Sequence, residues 1–150
     1  KNPELKFRDL EEARKSCEQL LSQPFTLLNY LEGTRFTAEK HAKQNSPYKN
    51  LLKPKAGGLA LALSILENEI DALVDMTIVY PDGVPDYGDF WLGGVSQIAV
   101  NLRKIEIPDW VRGGNYEDDA EYRERFQKWV DQLWVEKDQL ISELKQKFST

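Results

Sequence analysis

An apolar run over residues 25–31, Phe-Thr-Leu-Leu-Asn-Tyr-Leu, stops abruptly at Glu32-Gly33-Thr34-Arg35, and this junction constrains the chain most. A short apolar run bounded by Pro24 and Gly33 reads as a buried strand. Apolar almost throughout, it suits a strand covered on both faces and paired on both sides. Gly33 lets the backbone turn and leaves the Arg35 guanidinium at the strand's carboxyl end. In an open α/β sheet, ligands collect at that end.

The charge pattern continues the same theme. Between Arg35 and Lys55 lie six cations and one acid, Glu39, a local net of +5 in a chain of net −5. Such a reversal points to an anionic partner. Arginine offers a planar fork for bidentate contact with phosphate. Glu32 can hold that fork or the turn, Gly33 admits close backbone N–H groups, and Thr34 adds a hydroxyl. The bland alternative is a solvated turn with an i,i+3 ion pair between Glu32 and Arg35. Lys53 and Lys55 neutralise phosphate or solvate an edge, and Lys40, Lys43 and Lys49 suit either an anionic membrane surface or a solvated face.

The rest of the chain alternates helical and strand patterns. Leu10, Ala13, Cys17, Leu20 and Leu21 fall at helical spacing over residues 9–21, and Gln23-Pro24 ends that helix. Cys17 lies on its apolar side and is read as packing. Thr37 is placed to cap a short helix through Gln44, which Ser46-Pro47 breaks. Leu51-Leu52 predicts a two-residue bridge into the sheet. Gly57-Gly58 permits close backbone approach ahead of a nearly all-apolar helix over residues 59–69. Residues 74–80 predict a strand stopped by Pro81-Asp82-Gly83. Residues 95–107 predict another, with Ile98, Val100 and Leu102 on one face. A long helix runs from Asp118-Asp119 to about Phe148, with an apolar seam of Tyr122, Phe126, Trp129, Leu133, Leu140 and Leu144. The expected fold is α/β: a mixed sheet of about four strands flanked by helices, with a long C-terminal helix. At 150 residues it fits one domain.

Several function classes drop out. The overall acidity argues against a nucleic-acid binder. No Cys/His cluster has metal spacing, and no phosphate-binding or dinucleotide glycine pattern occurs. No apolar run reaches the roughly 18 to 20 residues of a membrane span, so the chain is expected to be soluble. Trp91, in a Gly/Pro-rich loop, is the better interfacial aromatic, whereas Trp129 belongs to the core.

Glu32-Gly33-Thr34-Arg35, the following residues 36–41, and the path from Ser46-Pro47-Tyr48 to Lys53-Pro54-Lys55-Ala56-Gly57-Gly58 together resemble the lysophospholipid acyltransferase family. The likeness is to bacterial members related to 1-acylglycerol-3-phosphate acyltransferases. It continues through Val79-Tyr80-Pro81-Asp82 into the tryptophan-bearing last helix. The resemblance implies part of the glycerolipid acyltransferase fold, and transfer of a fatty acyl group from acyl-CoA or acyl carrier protein to the hydroxyl of a lysophospholipid, 1-acylglycerol-3-phosphate foremost. It implies no metal or other cofactor, and a complete protein associated with the cytoplasmic face of a membrane. Glu32, Gly33, Thr34, Arg35, Lys53, Pro54 and Lys55 become the substrate-binding set, Pro54 shaping an acyl or acceptor pocket.

One departure stands out. The family's base resembles a His-x4-Asp dyad, whereas here the sole histidine, His41, is followed five positions on by Ser46. The chain, which begins at Lys1, is therefore expected to be the C-terminal part of an acyltransferase domain, without its catalytic half. It should be inactive alone and form a homodimer or larger assembly, joined through the sheet edge or an exchanged first helix. Two rivals are a non-catalytic phospholipid or membrane-surface binding module, and an interaction domain acting through the long aromatic helix.

Overall fold

Alternating side chains in two segments make the only sheet among the described residues. The computed structural model of the chain describes residues 11, 12, 15 and 24–148. Its elements are α1 (Ala38–Gln44), α2 (Gly57–Leu66) with a following 3-10 turn (Glu67–Glu69), β1 (Leu73–Val79), α3 (Tyr87–Trp91), β2 (Ala99–Ile105), a second 3-10 turn (Asp109–Val111) and α4 (Ala120–Phe148). β1 and β2 pair antiparallel, Asp75 opposite Arg103, Met76 opposite Leu102 and Ile78 opposite Val100. Because strand side chains alternate, Thr77 and Val79 turn inward and are buried, whereas Val74, Met76 and Ile78 stay exposed.

The inner face takes α4 through a charged cluster. Lys137 Nζ lies 2.5 Å from Asp75 Oδ1 and donates to Thr77 Oγ1 at 3.0 Å and to the Met76 carbonyl at 2.8 Å. Arg103 reaches Asp75 at 3.3 Å and Glu136 at 2.5 Å. The Lys137–Asp75 pair is sheltered, its other donors satisfied by β1, whereas among the described residues Arg103 Nε is a buried donor left without a hydrogen-bond partner. Here all three Lys137 contacts are made to β1, so they fix its register against the helix.

The core lies between α2 and α4. Leu59, Ala60, Leu63 and Leu66 of α2 are buried, as expected for a helix apolar on nearly every side. Leu59, Ala60 and Leu63 share one core cluster with Val111, Phe126, Val130 and Trp134. At the start of α4, Trp110, Tyr116, Tyr122, Phe126 and Trp129 pack with several rings edge to face. Gly114 is required here, since a Cβ would lie 2.0 Å from the Tyr122 ring. That ring is pinned by its hydroxyl, which donates to the Val111 carbonyl at 2.7 Å.

Five expectations need correction. The sheet has two strands among the described residues, not about four. Residues 25–31 form no strand: Leu27, Leu28 and Tyr30 are exposed, and no ladder partner among the described residues organises an apolar run whose composition alone suggested β structure. Leu51 and Leu52 are buried as packing residues rather than as a bridge into the sheet, and β2 begins at Ala99 rather than at residue 95. Finally, the seam of α4 is centred on Phe126, Val130, Trp134 and Ile141. The expected Tyr122, Trp129 and Leu144 flank it, because a wide apolar stripe has edges that periodicity cannot tell from its centre. Of the helix expected over residues 9–21, Glu11, Glu12 and Lys15 are helical. The remainder, Cys17 included, lies outside the described residues.

Candidate substrate-binding surface

The turn at 32–35 is built by local chemistry. Gly33 N donates to the Tyr30 carbonyl at 2.9 Å, and Gly33 takes a φ of +64°, which a side chain would strain. A Cβ there would also lie 3.2 Å from Lys55 Nζ. The absence of a side chain thus lets Lys55 lie across the turn. The two cationic motifs meet at the backbone too, where Lys55 N donates to the Leu31 carbonyl at 2.7 Å.

Glu32 does not pair with Arg35. Its Oε1 accepts from Leu52 N at 3.1 Å, tying the turn to the second motif. Burial pushes its carboxyl above the ordinary value, opposed by the Leu52 N–H and the charge of Lys137. Lys40 is a brace rather than a free surface cation. Its Nζ donates to Thr34 Oγ1 at 2.7 Å and to the Arg35 carbonyl at 3.2 Å. It is held there by α1, whose N-cap Thr37 accepts from Lys40 N at 3.2 Å.

Arg35 is exposed and reaches across the chain. Its Nη2 lies 3.3 Å from the Tyr87 hydroxyl, with the guanidinium carbon 5.9 Å from the ring centroid. The hydrogen bond and the adjacent charge hold the Tyr87 phenol below its ordinary value. Lys53 and Lys55 are exposed, while Pro54 between them is buried. Pro54 therefore fixes the segment from within and leaves the two ammonium groups outside.

α4 holds this surface from behind. Asp138 accepts from the backbone N–H groups of Lys49 and Asn50 at 2.8 and 2.7 Å, and Trp134 Nε1 donates to the Leu52 carbonyl at 3.1 Å. Tyr48 is buried beside Asp131, and burial together with that carboxylate pushes its phenol up to about 12. His41 Nε2 lies 2.6 Å from the Tyr48 carbonyl, which can only accept, so this nitrogen carries the proton and is occupied in structure.

Residues 32–35 and 53–55 thus form one open, basic surface. Two hollows, of about 130 and 510 Å³, lie at the β1–β2 connection and along the start of α4, and neither is lined by these residues. Among the described residues no group of three or more His, Cys, Asp or Glu could hold a metal ion, and no helix is long and apolar enough to cross a membrane. Sequence reasoning missed Tyr87, Lys40 as a brace, and the Asp138 clamp. The Tyr87–Arg35 contact spans 52 positions and has no local signal, although the Asp86-x-x-Asp89 caps do mark a short helix there.

Comparison with known proteins decides what family carries this surface. The chain is 30% identical over 130 residues to the Saccharomyces cerevisiae 2-acyl-1-lysophosphatidylinositol acyltransferase, covering 79% of this chain and 32% of that protein. It is 29% identical over 131 residues to Gallus gallus lysocardiolipin acyltransferase 1, covering 81% of the chain and 33% of the relative. The Mus musculus 1-acyl-sn-glycerol-3-phosphate acyltransferase delta is 28% identical over 141 residues, covering 87% and 35%. The chain is a homologue of lysophospholipid acyltransferases over most of its own length. It spans about a third of the length of these curated relatives. No family model matches the chain, and no solved structure matches it. The family assignment therefore rests on relatives whose names all specify acyl transfer.

Proposed function

We propose that this chain is the C-terminal part of a phospholipid-biosynthesis acyltransferase, its basic surface holding the phosphate of a lysophospholipid acceptor, 1-acylglycerol-3-phosphate foremost. The observation that carries the reading is the convergence of Glu32-Gly33-Thr34-Arg35 with Lys53-Pro54-Lys55, joined by the Leu52–Glu32 and Lys55–Leu31 hydrogen bonds. Arg35 supplies the fork and the two lysines supply point charges. The complete protein moves a fatty acyl group from acyl-CoA or acyl carrier protein to the acceptor hydroxyl. A histidine of a His-x4-Asp dyad, in a part of the domain not present here, removes the hydroxyl proton as the oxygen attacks the thioester carbonyl. Arg35 contributes by fixing the acceptor's phosphate, so that the hydroxyl is presented in reach. The complete protein works at the cytoplasmic face of a membrane. In it, the sheet is a mixed one of about four strands, within the glycerolipid acyltransferase fold.

The expected result is that this chain alone releases no free CoA from acyl-CoA in the presence of 1-acylglycerol-3-phosphate. A general base contributes typically 10² to 10⁴ in rate, and His41 is bound to backbone. Turnover above blank that disappears in His41→Ala would show that His41 is the base after all.

The same reading leaves the sheet uncovered. Among the described residues both strands have an unpaired edge, and Met76, Ile78, Val100 and Leu102 form an exposed apolar face. We propose that the isolated chain associates with itself through this sheet. Light scattering at micromolar concentration should give a dimer or larger assembly; a persistent 17.3 kDa monomer would refute it.

A further inference from the structure

The connection between β1 and β2 carries a second exposed apolar feature, distinct from the sheet face. Val84, Tyr87, Phe90, Trp91 and Leu92 are 86, 73, 60, 85 and 89% exposed. Five such side chains within nine residues exceed the scattered apolar exposure of an ordinary surface. Tyr87, Phe90 and Trp91 fall at i, i+3 and i+4 of α3 and so share one side of it.

This segment is built rather than loose. Asp86 and Asp89 form a capping box, Asp89 N donating to Asp86 Oδ1 at 2.8 Å and Asp86 N to Asp89 Oδ2 at 3.2 Å. Gly94 N closes the far end on the Asp89 carbonyl at 2.7 Å, and Ser96 donates to Asp82. The aromatic side chains are thus presented on a fixed turn whose acids are engaged in holding it.

We propose that this prong docks the protein on a lipid bilayer by shallow insertion, with Trp91 and Leu92 as its principal contacts and Arg35 set at headgroup depth. The link to the headgroup is direct, because Arg35 sits against Tyr87 at the prong's base. One cation beside a cluster of Trp, Tyr, Phe and Leu matches a membrane interface, where aromatic rings lie at headgroup level and apolar groups just below. Asp82, Asp86 and Asp89 surround the prong, so attraction to anionic lipid is not the driving force. Apolar insertion is, and it takes neutral lipid as readily as anionic lipid. The placing of Arg35 rests on the proposed phosphate-binding role; the docking itself does not.

The test is co-sedimentation of the chain with phosphatidylcholine vesicles, alone and with added phosphatidic acid, at low and high salt, together with tryptophan emission. The expected outcome is binding to both vesicle types that survives high salt, with a blue shift of emission. In Trp91→Ala/Leu92→Ala partitioning falls by roughly tenfold or more, given the apolar area each side chain buries, and the shift is lost. Met76→Ser/Leu102→Ser, on the sheet face, leaves partitioning unchanged. No binding to neutral vesicles, binding abolished by salt, or loss in the sheet-face variant instead of the prong variant would each overturn the proposal. If docking fails while Arg35→Ala still removes binding of soluble glycerol 3-phosphate, only the prong is wrong; the reverse pattern removes the phosphate site and leaves the prong.

Discussion

Trp134→Ala is expected to destabilise the chain more than any other substitution considered, by about 3 to 5 kcal/mol. The indole is 9% exposed and sits at the centre of the α4 seam, between Val130 and Ile141. Its removal leaves a cavity that rigid neighbours cannot refill. It also strips the Leu52 carbonyl of its donor in a buried setting, and an unsatisfied buried group itself costs about 1 to 3 kcal/mol. Leu52 carries the N–H that holds Glu32, so the damage passes to the basic surface as well as to the core. Urea unfolding followed by circular dichroism gives the value directly. Trp91→Ala supplies the contrast, because an exposed side chain with no packing role should change stability by no more than about 0.5 kcal/mol. Similar losses for both tryptophans would mean that the core has been placed wrongly.

The second large effect concerns acceptor recognition. In the complete enzyme, Arg35→Ala is expected to weaken acceptor binding by roughly tenfold, through loss of charge-assisted hydrogen bonds to the phosphate. The loss is held to that size because the guanidinium is exposed in the free chain and is screened until substrate covers it. The loss should fall on acceptor KM more than on kcat. Arg35→Lys should restore little of it, since an ammonium cannot reproduce the bidentate fork. Lys43→Ala should have a much smaller effect. Lys43 is an exposed cation in the last turn of α1, away from the paired motifs. Equal effects at Arg35 and Lys43 would reduce the surface to diffuse positive charge.

Much of the helical architecture was legible from residue patterns. Thr37 as N-cap, the buried apolar helix after Gly57-Gly58 and the long helix ending at Phe148 each followed from local rules of capping and periodicity. β1 and β2 were legible for a similar reason, since alternation and the Pro81-Asp82-Gly83 turn are local signals. Residues 25–31 were misread because an apolar run reports only that burial is wanted. Whether it becomes a strand depends on a pairing partner that no local rule supplies. The basic surface shows the same division. The motifs themselves stood out, yet the inward turn of Pro54, the lysine brace of Lys40 and the grip of Asp138 on the backbone of Lys49 and Asn50 are contacts between distant or differently oriented groups. The alternative of a Glu32–Arg35 ion pair failed on geometry. Each found a partner from the other motif or from the β1–β2 connection, which spacing within a tetrapeptide cannot reveal.

Glu32-Gly33-Thr34-Arg35 and Lys53-Pro54-Lys55 are proposed to act as one phosphate-recognising surface. Calorimetric titration of the chain with a short-chain, monomeric 1-acylglycerol-3-phosphate tests it most directly. The expected result is saturable binding that a neutral monoacylglycerol of the same chain length does not reproduce, and that falls roughly tenfold in Arg35→Ala. Binding of the neutral lipid as tight as that of the phosphate, or an Arg35→Ala isotherm indistinguishable from the unsubstituted chain, would contradict it.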